Sequence, residues 1–133
     1  IVRDGHATSA LKGFVFMFGG WDETQYFNDL HVFDTTKLVA TGGTGNNFDL
    51  IKWTELKTIP GTPLPAVRNS HSMVTIGSSL IVYGGFSHDV ENHGAWVYCD
   101  LEEHGCIIYD DIWLLNIPGK LNYQSSKLLI KES

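Results

Sequence analysis

Short hydrophobic runs, each about the length of one strand, recur along the chain between polar and glycine-containing segments. Residues 14–18 and 80–83 are aromatic or largely β-branched, and two glycines follow each run directly. Such runs are typical of buried β-strands. Residues 30–33 and 112–115 are also apolar, and acidic residues precede both. No segment keeps the three-to-four-residue spacing of an amphipathic helix. The pattern therefore predicts an all-β protein.

Two of these signatures occur twice at one constant spacing. An Arg-x-x-His motif begins at Arg3 and again at Arg68. The apolar run that ends in a glycine pair recurs at the same offset, with the pairs at 19–20 and 84–85. Because both signatures share one offset, we interpret the chain as two copies of one structural unit.

The second unit is longer than the first. Its segment 110–116 resembles segment 28–34, but it lies seventeen positions beyond the offset that the first two signatures share, so an insertion precedes its third strand. A fourth strand is predicted around residues 51–56 in unit one, and its weak counterpart in unit two is residues 127–131. Each unit thus predicts four short strands.

The ordered set of Arg-x-x-His, an apolar run ending in Gly-Gly, Asn-Asp-Leu-x-Val-Phe-Asp and Trp-x-x-Leu resembles the kelch motif. The resemblance implies an all-β fragment of a β-propeller, made of two four-stranded antiparallel blades. Blade one would occupy residues 1–58 and blade two residues 59–133. Blade two would carry an extended loop between its second and third strands, at residues 86–109, and an irregular C-terminal segment. Blades stabilise one another, so further propeller blades are expected in the full-length chain.

Composition narrows the choice of partner. Nine Lys and Arg against fifteen Asp and Glu give a net charge of −6, which argues against nucleic-acid binding. No apolar run approaches the ~18 residues of a membrane span, so no membrane contact is predicted. The chain starts Ile-Val-Arg-Asp, and we expect it to be an excerpt of a longer protein. Two cysteines and no Asn-x-Ser/Thr site favour the cytoplasm.

Catalysis and cofactors receive little support from the motifs. The chain has no Gly-x-Ser-x-Gly, and we predict neither an enzyme nor a cofactor. The extended loop concentrates possible zinc ligands, but lacks Cys-x-x-Cys and His-Glu-x-x-His spacing. A Cys99–Cys106 disulfide is left open. Tyr98 and Cys99 are adjacent and would face opposite sides of a strand, which argues against an oxidase-type copper site built from this pair.

The kelch resemblance implies a protein–protein interaction module that serves as a scaffold or substrate adaptor. Its partner would present a basic surface or peptide, because the chain is acidic. Arg68 either bonds to backbone carbonyls or points into the channel mouth to bind an acidic peptide. Surface loops carry recognition more often than strands do, so the predicted partner-binding residues are Trp21, Asp22, Glu23, Arg68, His88, Asp89, Glu91, His93 and Trp96. Two alternatives are a propeller that regulates an attached phosphatase, kinase or ubiquitin-ligase adaptor domain and, with less support, a metal-dependent oxidase-type propeller.

Overall fold

The computed structural model describes residues 2–36, 52–58, 60–88 and 105–117, together with the backbone of residues 127–132. The elements found in this part of the chain are all strands, which confirms the all-β prediction. In chain order they are β1 (Ala7–Leu11), β2 (Phe14–Phe18), β3 (Leu30–Asp34), β4 (Thr54–Thr58), β5 (Ser72–Ile76), β6 (Ser79–Tyr83), β7 (Phe86–Ser87), β8 (Ile107–Ile108), β9 (Ile112–Asn116) and β10 (Lys127–Glu132).

The strands form the two antiparallel blades that the repeat predicts. Blade one has the order β1-β2-β3-β4, and blade two has the order β5-β6-β9-β10. The registers agree as well: Phe16 lies opposite Val32 in blade one, and Ile81 lies opposite Leu114 at the matching position in blade two. The weak prediction of a strand at residues 127–131 is confirmed by β10, which pairs with β9.

Two pairings differ from the expectation of two separate four-stranded sheets. β10 also pairs in parallel with the end of β4, through Lys127–Lys57 and Leu128–Thr58, so the blades join at their outer strands. This pairing satisfies backbone groups that the edge of β4 would otherwise expose. The base of the long loop is the second difference. Its strand β8 pairs with β7 and forms a separate two-stranded sheet, in addition to the four strands predicted for blade two.

The hydrophobic core lies between the two blades. Alternate residues of a strand point to opposite faces, and one face of each blade meets the other. Burial of such side chains contributes roughly 1.5–3 kcal/mol each relative to full exposure. The core residues are Leu11, Phe16, Phe18, Leu30, Val32 and Leu56 from blade one, and Met73, Leu80, Val82, Trp113, Leu115 and Ile117 from blade two.

The glycine pairs occupy equivalent positions at the ends of β2 and β6. Gly20 has φ +98, and a Cβ there would lie 2.6 Å from the carbonyl oxygen of Asp4. Gly85 has φ +84, and a Cβ there would lie 2.5 Å from the carbonyl oxygen of Asn69. Only glycine permits both the positive φ and this close approach of backbones. The second glycine of each pair therefore lets the strand end against the segment that enters its own blade.

Gly19 permits an equally close approach between the two blades. It has φ +68, and a Cβ there would lie 2.7 Å from Cε1 of His71 and 2.8 Å from the carbonyl oxygen of Arg68. The imidazole of His71 fills this space. Its Nε2 donates a hydrogen bond to the carbonyl of Phe18 at 2.9 Å, and the two rings meet edge to face with centroids 5.5 Å apart.

The environment of His71 keeps its ring neutral. Burial lowers the pKa of His71 to about 4, and the nearby positive charges of Arg68 and His6 act in the same direction. The hydrogen bond to Phe18 opposes this shift without reversing it. A protonated His71 would place a second N–H on Nδ1, a buried atom that has no hydrogen-bond partner among the described residues. The junction between the blades is therefore built for the neutral imidazole.

We expect Gly19→Ala to destabilise the protein by about 3 kcal/mol or more, since it adds a steric overlap between blades to an unfavourable φ. Gly77→Ala is the matched control, because Gly77 has φ +59 but no described atom within 4 Å of its Cβ position. This control should cost only about 1–2 kcal/mol. Urea unfolding of both variants measures the difference, and equal costs would contradict the close approach at Gly19.

We expect the free energy of unfolding to fall as the pH drops from about 6.5 towards 4. In this window an unfolded His71 binds a proton while the folded one does not, so the slope from His71 is up to about 1.4 kcal/mol per pH unit. His71→Gln keeps an N–H donor for the Phe18 carbonyl and removes the titration. Urea unfolding at pH 7, 6 and 5 should therefore give a shallower pH dependence for His71→Gln; parallel profiles would show that His71 does not govern it.

Candidate partner-binding surface

Two blades contribute to one cluster of rings at the end of the molecule where β2 and β6 terminate. Trp21 and Tyr26, from the loop between β2 and β3, stack with centroids 5.5 Å apart. His88, which follows β7 in blade two, meets the Tyr26 ring edge to face at 5.1 Å. The Tyr26 hydroxyl and Nδ1 of His88 are hydrogen-bonded at 2.5 Å. We call Trp21, Tyr26 and His88 the aromatic cluster.

Local backbone pairing positions the aromatic cluster. Trp21 forms bridges with both Asp4 and Tyr26, so the loop folds back on itself as soon as Gly20 ends the strand. Tyr26 lies at the bottom of the cluster and is 8% exposed. Burial, with a smaller effect of the charge on Asp4, raises the pKa of Tyr26 to about 12. Tyr26 thus keeps its proton at neutral pH and supports Trp21 and His88 from below.

An acidic turn lies beside the aromatic cluster. The Oδ1 of Asp22 accepts hydrogen bonds from the amide of Thr24 at 3.0 Å, the hydroxyl of Thr24 at 2.6 Å and the amide of Gln25 at 3.0 Å. The hydrogen bond from the Thr24 side chain is the main cause that lowers the pKa of Asp22. Asp22 is therefore ionised at neutral pH, and Glu23 next to it is exposed.

A cavity of about 320 Å³ opens between this turn and the segment that enters blade one. Trp21 contributes an aromatic wall, and three carboxyl residues surround it. The lining residues are Val2, Arg3, Asp4, Trp21, Asp22 and Glu23. The guanidinium of Arg3 is engaged by both carboxylate oxygens of Asp29, at 2.6 and 2.9 Å. Because Arg3 is paired with Asp29, the charge of the cavity comes from Asp4, Asp22 and Glu23.

Arg68 does not belong to this surface, and its prediction as a partner-binding residue is corrected. Its side chain is fully buried. It binds both oxygens of Asp111, at 2.6 and 2.8 Å, and the carbonyl of Gly84 at 2.9 Å. The ring of Tyr109 lies 4.2 Å from its guanidinium carbon. Of the two roles considered for Arg68, bonding to backbone carbonyls is the one observed, and its ion pair with Asp111 was not anticipated.

Of the other eight predicted site residues, four lie within the described part of the chain and four lie outside it. Trp21, Asp22, Glu23 and His88 lie near one another as described above. Asp89, Glu91, His93 and Trp96 lie outside the described residues. Tyr26 was missed by sequence reasoning, although it occupies the same loop as Trp21. Its role depends on a contact with His88, which lies in the other blade, so no local signal identified it.

Three expectations from the sequence concern a metal site, a disulfide and a membrane span. Cys106 is disulfide-bonded, whereas Cys99 lies outside the described residues. Within the described segments, no group of three His, Cys, Asp or Glu side chains could hold a metal ion. In those same segments, no helix has the length and apolar character that crossing a membrane requires.

The sequence of this chain is similar to those of several known proteins. The family model for the KLHDC2/KLHL20/DRC7 Kelch-repeats domain matches residues 1–120. Tip elongation aberrant protein 3 of Schizosaccharomyces pombe is 29% identical over 114 residues, which cover 75% of this chain and 10% of that protein. Rab9 effector protein with kelch motifs of Gallus gallus is 33% identical over 92 residues, which cover 66% of this chain and 21% of that protein. The chain spans a small part of either relative.

A solved structure supports the fold. The structure of YjhT superposes with a TM-score of 0.54 at 19% sequence identity, over 84% of this chain and 29% of that one. At this level of identity the likeness concerns the fold alone. The kelch-like β-propeller predicted from the repeat is confirmed.

The burial of Arg68 gives a test that needs no partner. We expect Arg68→Ala to cost about 3–5 kcal/mol, because it leaves Asp111 and the Gly84 carbonyl without their buried donor. Lys57→Ala removes the cation of an exposed ion pair with Glu55 and should cost at most about 1 kcal/mol. Urea unfolding measures both, and similar small losses would restore Arg68 as a surface residue.

Proposed function

Because this chain belongs to the KLHDC2/KLHL20/DRC7 Kelch-repeats domain family, we propose that it is a protein-interaction module whose partner contacts the aromatic cluster and the acidic turn. Kelch-repeat domains are in general binding modules rather than catalysts, and kelch propellers carry further blades. The finer assignment, which names the surface and the kind of partner, rests on the geometry around Trp21.

The observation that carries the proposal is the aromatic cluster itself. Trp21 is supported from below by Tyr26 and is only partly buried, so part of its indole is available to a partner. Rigidly held aromatic side chains are the commonest anchors of protein interfaces. The cluster also includes His88 of blade two, so the proposed surface exists only when both blades are docked.

The charge around Trp21 favours a basic partner. Asp4 and Glu23 are exposed, Asp22 is ionised, and Arg3 is already paired with Asp29. The cavity that these residues line is large enough for one long side chain. A Lys or Arg there would meet an indole face and carboxylates, the two groups that attract such cations. The net charge of −6 would steer a basic partner towards the module.

We further propose that the module serves as a scaffold or substrate adaptor in a cytoplasmic protein. The alternative is that it belongs to a propeller that regulates an attached enzyme domain. The residues of the long loop, Asp89, Glu91, His93 and Trp96, would extend the proposed surface. We assign no catalytic step to any described residue.

Binding of peptides of opposite charge tests the proposal. We expect short fluorescein-labelled peptides rich in Lys and Arg to bind, and matched peptides rich in Asp and Glu not to bind. Trp21→Ala should weaken binding at least about tenfold, which corresponds to about 1.4 kcal/mol. Asp22→Asn with Glu23→Gln should weaken it and reduce its dependence on salt. Fluorescence anisotropy measures each affinity.

Trp53→Ala is the matched control. Trp53 is 45% exposed and contacts Phe33 rather than the aromatic cluster, so its loss should leave peptide affinity unchanged. Thermal unfolding of each variant verifies that the blades remain docked. Equal binding of both peptide types, or equal losses in Trp21→Ala and Trp53→Ala, would contradict the proposal.

A further inference from the structure

Both arginines of the chain are bound in the same way. The guanidinium carbon of Arg3 lies 4.2 Å from the centroid of the Phe27 ring. The same guanidinium binds both carboxylate oxygens of Asp29, at 2.6 and 2.9 Å. Arg68 is likewise held by an aromatic ring and by both oxygens of a carboxylate. A ring next to a carboxylate is thus the arrangement with which this protein binds a guanidinium.

The cavity beside the acidic turn has the same two components. Trp21 provides the ring: Tyr26 stacks on one side of the indole, and the partly buried indole forms a wall of the cavity. Asp4 provides the carboxylate. The amides of Asp4 and Trp21 each donate to the other's carbonyl at 3.0 Å. Side chains paired in this way across an antiparallel bridge extend from the same face, so the Asp4 carboxylate lies beside the indole.

The carboxylates around the cavity differ in how much they can offer a ligand. Asp22 has its Oδ1 engaged by three hydrogen bonds within the turn. Asp4 is exposed, and within the described segments its carboxylate forms no hydrogen bond or ion pair. Glu23 is exposed as well. Asp4 is therefore the carboxylate that combines an available pair of oxygens with a fixed place beside the ring.

Arg3 provides an independent indication that the cavity takes a peptide. Its side chain is 4% exposed and lines the cavity. Its Nε is a buried donor without a hydrogen-bond partner among the described residues, and such a donor is costly to leave unsatisfied. The Nε of Arg68, in contrast, donates to the backbone carbonyl of Ala66 at 3.1 Å. A peptide brings backbone carbonyls with its side chains, so it can supply the acceptor that Arg3 lacks.

We propose that the cavity binds an arginine side chain of the partner in preference to lysine. This inference rests on the proposed function, because it specifies the cation that a basic partner places against Trp21. The guanidinium lies against the indole and binds both carboxylate oxygens of Asp4. A backbone carbonyl of the partner accepts a hydrogen bond from the Nε of Arg3. Asp22 and Glu23 add negative charge at the rim.

Lysine matches these groups less well. Its ammonium is a compact and strongly hydrated point charge, which neither stacks as a plane nor forms two parallel hydrogen bonds to one carboxylate. A guanidinium is planar, is more weakly hydrated and does both. The net charge of the protein attracts either cation equally. A preference for arginine therefore reports on the geometry of the ring and the carboxylate, not on charge alone.

Peptides of equal length and net charge test the proposal on the full-length protein that contains these residues. Their cations are all arginine, all lysine or all dimethylarginine, and each peptide carries fluorescein. By fluorescence anisotropy, we expect the arginine peptide to bind at least about tenfold more tightly than the lysine peptide. Methylation keeps the charge of arginine but blocks its paired hydrogen bonds, so the dimethylarginine peptide should lose most of this advantage.

Asp4→Asn locates the source of the preference. The variant keeps the size of the side chain and removes the carboxylate, so the arginine and lysine peptides should then bind within about twofold of each other. Glu55→Gln is the matched control, because it removes the same charge from an exposed side chain that pairs with Lys57. This control should keep the full preference for arginine.

The outcomes separate this inference from the proposed function. If the arginine and lysine peptides bind equally, and Trp21→Ala weakens both, the arginine preference is wrong and the basic partner stands. If the preference persists in Asp4→Asn, the cavity is not its source and the inference fails. If no basic peptide binds, both the inference and the proposed function fail.

Discussion

The close approach of two backbones at the glycine pairs is the constraint on which the rest of the structure depends. At Gly19 the ring of His71 and the carbonyl of Arg68 lie where a Cβ would be. Only there can the segment that enters blade two reach the carbonyl of Phe18 and the amide of Gly20. The apolar faces of the two blades then meet, and the core lies between them.

Partly buried Arg–Asp pairs fix the segment that enters each blade. Arg68 and Asp111 form one pair, and Arg3 and Asp29 form its counterpart in blade one. Each carboxylate also accepts a hydrogen bond from a second side chain: Asp111 accepts from the indole of Trp113, and Asp29 accepts from the imidazole of His31. A buried ion pair adds little net stability over an apolar alternative, but loss of one partner is costly. In each pair the arginine also donates a hydrogen bond to the carbonyl of the first glycine of a glycine pair, Gly19 for Arg3 and Gly84 for Arg68. We therefore interpret these ion pairs as fixing the position of the entering segments.

The proposed partner surface depends on the same docking. Trp21 and Tyr26 belong to blade one, and His88 belongs to blade two, so a change that separates the blades would dismantle the aromatic cluster. The neutral state of His71 connects this surface to pH. Acidification lowers the stability of the junction, because the imidazole takes a proton more readily in the unfolded chain.

Most of the fold follows from the sequence by itself. The recurrence of Arg-x-x-His and Gly-Gly at one offset determined the strands, their order and the length of the inserted loop, because strand pairing in a hairpin is a local property of alternation and turns. The loop that holds Trp21, Asp22 and Glu23 was also predicted, because it directly follows the glycine pair at 19–20.

Contacts between residues far apart in the chain were decided only by the tertiary structure. The burial of Arg68 against Asp111, the parallel pairing of β10 with β4, and the hydrogen bond of Tyr26 with His88 all join positions that are distant in sequence. A linear pattern states that a residue is polar or aromatic, but not which distant group neutralises or covers it. Chain packing makes that choice, because a buried charge or hydroxyl requires a partner wherever the fold supplies one.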